Sequence, residues 1–139
     1  MNKRKAIYMS TIEVNHQPLN TSIAKNAALW ILQLGSSAMF FYAGFAKLTS
    51  NPYMVQTFEA IGAGQWFRYV TGGIEFLAAV LLLIPSLAGV GAALLVPTMI
   101  GAVLSHLLIL GGSPALPATL LVAAAVIAYA RREQIKNLF

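Results

Sequence analysis

At 139 residues the chain has room for one domain, and 58% of it is hydrophobic while only 9% is charged, against about 45–50% and about 25% in ordinary globular domains. A fold this small leaves much of its surface exposed and could not hide so many apolar side chains from water. A soluble enzyme, a disordered chain and a nucleic-acid-binding module are thereby excluded, and an integral membrane protein remains.

The net charge of +5 does not point to nucleic acid. Lys3, Arg4, Lys5 and Lys25 precede the first apolar run, and Arg131, Arg132 and Lys136 follow the last. Basic flanks of this kind orient spans and attract the anionic lipid of a bilayer. The chain has no cysteine, which excludes a disulfide framework, a thiol nucleophile and a Cys-ligated metal site.

A bilayer core about 30 Å thick takes roughly 20 apolar residues in a helix. Residues 1–26 read as a cytoplasmic N-terminal tail, because the mostly polar stretch 10–26 separates the first basic residues from the apolar run, unlike a cleaved signal. The charge-free stretch 27–46, closed by Lys47, predicts the first span. Asn51-Pro52 then supplies an N-cap and a first helical position. Met54, Phe58 and Ile61 recur at helical spacing before Gly62 and Gly64. That pattern predicts a short amphipathic helix on the membrane surface, followed by Trp66, Phe67 and Tyr69 at the depth of an aromatic belt. A second span is expected over 67–84, ending at Pro85-Ser86. A third is expected over 87–110, kinked at Pro97. A fourth, over 115–130, ends at Tyr129 and the Arg131–Arg132 pair, and residues 131–139 form a basic cytoplasmic tail.

Short connections between spans two, three and four force antiparallel neighbours. The expected fold class is therefore an all-α membrane protein, a four-helix transmembrane up-down bundle occupying 27–130. Seven of the nine Lys and Arg lie outside the spans at the two ends of the chain. An even number of spans then places both termini in the cytoplasm, with a bacterial inner membrane as the setting.

Between Tyr69 and Ala130 the only charged residue is Glu75. It lies about 10 Å into the second span at 1.5 Å per residue, where a carboxylate costs about 2.5–3.5 kcal/mol and faces a partner inside the protein. His106 near the end of span three, Lys47 at the end of span one and Arg68 at the start of span two fall in the same half of the membrane. Together they predict an outward-facing polar cavity roofed by the amphipathic helix. Gly72, one turn from Glu75, admits a close helix neighbour. Plainer readings stand beside this one: Lys47 and Arg68 as residues snorkelling to the interface, His106 as a hydrogen-bonding core residue, and Glu75 as interhelical glue. Trp30, Phe40, Phe41 and Tyr42 read more readily as packing than as a quinone stack. One Glu and one His, without HxxE or HxH spacing, predict no metal site.

The run Phe40-Phe41-Tyr42-Ala43-Gly44-Phe45-Ala46-Lys47-Leu48 resembles the end of the first span in DoxX-like membrane proteins. Gly72-Gly73-Ile74-Glu75, followed by Phe76 to Leu83, is similar to that family's second span with its embedded Glu. The resemblance covers about residues 27–130 and implies a four-helix inner-membrane protein. Some members of the family are linked to thiosulfate oxidation with quinone as acceptor, others to thiol or oxidative-stress complexes. The motif positions carried over are Gly44, Lys47, Gly72 and Glu75. Without a cysteine, any thiol exchange would be supplied by a partner protein.

The leading expectation is a membrane subunit that binds a quinone or a similar apolar ligand. Glu75 and His106 are its catalytic candidates, with Lys47, Arg68, Gly44 and Gly72 lining the ligand site. Its partners would be the lipid bilayer, a quinone, a membrane or redox protein and further copies of the chain, and no nucleic acid. The alternative is a non-enzymatic scaffold or assembly factor docking onto a larger complex. A small transporter ranks third, because four short spans enclose little volume.

Overall fold

The computed structural model describes the backbone of residues 2–139 and the side chains of residues 2–7 and 22–139. Every regular element among the described residues is helical: α1 (Lys3–Leu48), α2 (Pro52–Ile61), α3 (Gln65–Leu83), α4 (Ala88–Ser105) continuing into a π-helical turn (His106–Leu110), α5 (Ala115–Ala130) and α6 (Arg132–Lys136). Three stretches are long and apolar enough to cross a bilayer, Ser22–Leu48, Gln65–Leu83 and Ala88–Leu110, and α5 is a shorter apolar helix. The chain divides into two compact units, residues 1–31 and 32–139.

The N-terminal unit is described by its backbone and by part of its side chains. The stretch read as a tail is helical from Lys3, and the side chains of 8–21 lie outside the described residues. Polarity alone does not oppose a helix, and the first glycine of the chain is Gly35. The side chains of residues 22–28 are exposed.

In the second unit, the C-terminal part of α1 runs antiparallel to α3. Gln33 Nε2 donates to the carbonyl of Leu82 (3.1 Å) and Ser37 Oγ to that of Ala79 (2.8 Å), while Lys47 at the other end reaches Glu75. Between these contacts the two backbones nearly touch. A Cβ on Gly44 would sit 2.8 Å from the Gly72 carbonyl oxygen and from the Phe76 amide, and one on Gly72 would sit 2.7 Å from Lys47 Cβ. In lipid no hydrophobic force drives helices together, so small residues at such a crossing supply the contact.

Five buried residues of α1 here, Gln33, Ser36, Ser37, Phe40 and Gly44, recur at helical spacing on one face, with Ala46 buried beside it. Those of α3, Arg68, Gly72, Glu75, Ala78, Ala79 and Leu82, do the same. Phe40, Ala78, Leu82, Leu95, Met99, Ala124 and Ile127 form the apolar core, and α4 packs against both α3 and α5. It comes close to α3 at Gly91, where a Cβ would lie 2.9 Å from the Ala78 carbonyl, and to the end of α5 at Gly89, where one would lie 2.5 Å from the Arg131 carbonyl. The helix continues through the exposed Pro97 and widens only nine residues later, at the π turn.

Two polar clamps close the end where α3 meets α4. Gln33, fully buried, accepts from Arg131 Nε (3.0 Å) through Oε1 while its Nε2 holds Leu82. That carbonyl belongs to the last turn of α3, where no intrahelical donor remains. Gln134 in α6 spans the α3–α4 turn, donating to the Pro85 carbonyl (2.7 Å) and accepting from the Gly89 amide (2.8 Å).

Gly44→Ala is expected to lower stability by about 1–3 kcal/mol, the usual cost of overpacking a tight contact. Gly73→Ala, which meets nothing within 4 Å, should be neutral or stabilising by up to about 1 kcal/mol. Thermal unfolding of both variants in mild detergent checks the pair. Gln33→Leu, which leaves the Leu82 carbonyl without its donor, should cost about 1–3 kcal/mol in the same assay.

Candidate functional site

The polar cluster lies at the opposite end of the α1–α3 pair, where the Gly44–Gly72 crossing brings the last turn of α1 onto the first half of α3. Lys47 Nζ stands 2.7 Å from Glu75 Oε2, with side chains 12% and 3% exposed. The pair joins two different helices, and their close approach at Gly44 and Gly72 keeps it short and nearly dry.

Arg68, 3% exposed and in the first turn of α3, extends the network toward the surface. Its Nε donates to Gln65 Oε1 (2.6 Å), Nη1 to the Lys47 carbonyl, and Nη2 to Ser50 Oγ (3.2 Å). The guanidinium carbon also lies 4.2 Å from the centre of the Tyr69 ring, within reach of a cation–π attraction. The bond to Lys47 fills a carbonyl in the last turn of α1, one of the groups a helix end leaves without an internal partner. Ser50 Oγ and the Tyr69 hydroxyl are 3.2 Å apart. Gln65 Nε2 in turn donates to the Val55 carbonyl of α2 (3.0 Å).

α2 forms as its sequence predicts. The Asn51 side chain accepts from the Tyr53 amide (3.0 Å), Pro52 occupies the first turn, and Gly62 closes the helix in the left-handed region at φ 81°. Phe58 is buried and its ring lies 5.9 Å from that of Phe67. α2 packs against both α3 and the π turn, so the turn that begins at His106 lies at the end of the molecule that carries Arg68.

The structure thus brings Lys47, Glu75, Arg68, Gly44 and Gly72 together, the two glycines as the crossing that sets the distance between the charges. His106 stands apart from them. Its Nδ1 lies 3.0 Å from the Ala102 carbonyl one turn back in its own helix, and among the described residues none of its hydrogen bonds reaches Lys47, Arg68 or Glu75. A carbonyl can only accept, so Nδ1 carries the proton, and in the neutral ring Nε2 is left as an acceptor. The π-helical start at this residue is a local geometry often associated with functional positions.

Several members of the two polar clusters were not singled out from the sequence. Gln33 carried a usable signal, since it begins the helical repeat Gln33, Ser36 or Ser37, Phe40, Gly44 and Lys47 and is the one amide side chain in the charge-free run. Ser50 and Gln65 carried none, because their side chains meet Arg68 only in a joint between helices whose geometry is not periodic.

The chain matches the DoxX-like family over residues 31–129. No curated protein and no solved structure matches it. The matched range includes Gly44, Lys47, Gly72 and Glu75, and contains α3 and α4, two of the three stretches long enough to span a bilayer. The chain is an integral membrane protein belonging to the DoxX-like family.

Proposed function

We propose that this chain is a subunit of the bacterial inner membrane, a four-helix up-down bundle with both termini cytoplasmic, that binds a quinone or a similar small apolar ligand beside Lys47 and Glu75. The observation that carries the reading is the 2.7 Å Lys47–Glu75 pair, a donor and a proton acceptor held together deep in an otherwise apolar chain. Ionisable groups within a span are functional by default.

The donor set suits a quinone carbonyl. Lys47 has three N–H groups and gives one to Glu75, leaving two for a ligand oxygen. Phe41 and Phe76, with ring centres 4.6 Å apart, offer aromatic surface next to Glu75. A bound quinone would supply two-electron redox chemistry. Lys47 orients the ligand oxygen, Glu75 holds or passes the proton, and Arg68 sets the local charge. His106, with Nδ1 engaged, takes part through Nε2 as an acceptor from a ligand hydroxyl. Thiosulfate or thiol chemistry, as linked to some family members, would come from a partner protein, since the chain has no cysteine.

A non-enzymatic scaffold is the second reading, and one observation favours it. Among the described residues every buried side-chain nitrogen or oxygen already has a hydrogen-bond partner, so the network is complete as an interhelical anchor.

Binding of decylubiquinone to the full chain in mild detergent separates the two. Glu75→Gln is expected to weaken binding about tenfold, the scale of one charged hydrogen bond. Because apolar replacement of a buried ion pair is often neutral or stabilising, Lys47→Met combined with Glu75→Met should keep the thermal midpoint of the parent while losing the quinone. Unchanged binding in both variants overturns the ligand reading, and a stable larger protein partner that co-purifies without quinone supports the scaffold.

A further inference from the structure

The same end of the molecule holds a second buried cation, Arg68, that no ion pair among the described residues neutralises. Lys47 and Glu75 neutralise each other. Arg68, buried to 3% exposure, has no carboxylate within ion-pair distance among the described residues and lies instead on a carbonyl, an amide and a hydroxyl. A buried cation without a counter-ion is costly. The first turn of α3, which holds Arg68 and has neither an acidic residue nor a side-chain cap, adds positive potential from the helix dipole.

The hydrogens around Arg68 lead outward. A guanidinium has five N–H groups, and three of those on Arg68 are engaged. Ser50 Oγ accepts from Nη2 and shares one hydrogen with the Tyr69 hydroxyl. Two hydroxyls carry two hydrogens, and only one is used between them. Whichever donates, the other hydroxyl is left with a hydrogen for an outside acceptor, and both residues are exposed.

Ser50 sits at φ 59°, the single positive-φ residue among the described residues that is not glycine. This left-handed conformation costs an ordinary residue about 1–2 kcal/mol. A serine is therefore held where glycine would be unstrained, and what it adds is the hydroxyl that Arg68 orients. Trp66, Tyr53 and Tyr69, all exposed at this end, are the residue types that settle at headgroup depth.

We propose that Arg68, Ser50 and Tyr69 form an oxyanion site for a phosphate group at the level of the lipid headgroups, with Arg68 supplying the charge and the two hydroxyls the outward contact. The phosphate is the phosphodiester of an anionic phospholipid or free inorganic phosphate. The proposal does not depend on the quinone reading, which rests on Lys47 and Glu75.

The test uses the full chain in mild detergent, the parent beside a Ser50→Gly/Tyr69→Phe variant. Glycine suits φ 59° and the Tyr69 ring is half exposed, so the variant should keep the parent's thermal midpoint. Native mass spectrometry measures phosphatidylglycerol against diacylglycerol of the same chains, and calorimetry measures inorganic phosphate. The parent should prefer phosphatidylglycerol, and the variant should lose about fivefold in that affinity, the scale of one net hydrogen bond. Arg68→Gln should lose as much, provided that it folds. Loss confined to the inorganic phosphate arm assigns the site to the free ion. Equal binding by parent and double variant in both arms overturns the proposal, because the remaining lysines and arginines of the chain would then account for any anion attraction. Quinone binding should be the same in parent and double variant.

Discussion

The contact between Gly44 and Gly72 sets the geometry on which the rest of the polar cluster depends. Two helix backbones meet there with no side chain between them, and Lys47 and Glu75, one turn beyond each glycine on antiparallel helices, join across the crossing. Had either glycine been larger, the helices would separate by about the width of a methyl group. A side chain as long as lysine could still bridge that gap, but the close and nearly dry geometry of the pair would be lost. The charged pair is thus a consequence of the crossing. Lys47, whose Nζ meets Glu75, also offers its own carbonyl to Arg68, so one residue joins the deep pair to the surface network.

This arrangement grades polarity along the axis of α3. At the Arg68 end, a guanidinium tied to a carbonyl of α1 gathers two hydroxyls and the Gln65 amide, which in turn holds a carbonyl of α2. One and two turns further in lie Gly72 and the single carboxylate, and beyond it the buried positions are Ala78, Ala79 and Leu82. At the far end polarity returns as neutral amides, Gln33 and Gln134, with arginine only at the rim. Neutral amides satisfy backbone groups at little desolvation cost, which suits a purely structural clamp. Charges suit a place where a proton or an anion must be recognised.

Much of this was legible in the sequence. The apolar runs were visible because a bilayer demands about 20 apolar residues in each helix, and the borders of α2 because Asn51, Pro52 and Gly62 have narrow backbone preferences. Glu75 and Lys47 stood out as charges in an uncharged background. The pairing of the two was harder to read, since it depends on which faces of α1 and α3 meet, and the small residues that decide this are common throughout the chain. The helical course of the first residues was not read from the sequence, since their polarity carries no apolar repeat to mark it. His106 was grouped with the charges by its depth alone, and depth does not reveal its local bond to the carbonyl of Ala102. Ser50 was invisible because its role rests on a left-handed backbone that serine seldom adopts.

The clamp made by Gln134 bears on how the molecule is assembled. Pro85 lies in the turn between α3 and α4 and Gly89 in the first turn of α4, yet the side chain that satisfies both comes from α6, which emerges only after α4 and α5. A ribosome releases that turn long before it releases Gln134. During synthesis the α3–α4 hairpin must therefore wait with a backbone donor and acceptor open to water, and it locks only when the last helical turn folds back beneath it. The order of chain emergence makes α6 the keystone of this side of the protein, set after the helices that it holds.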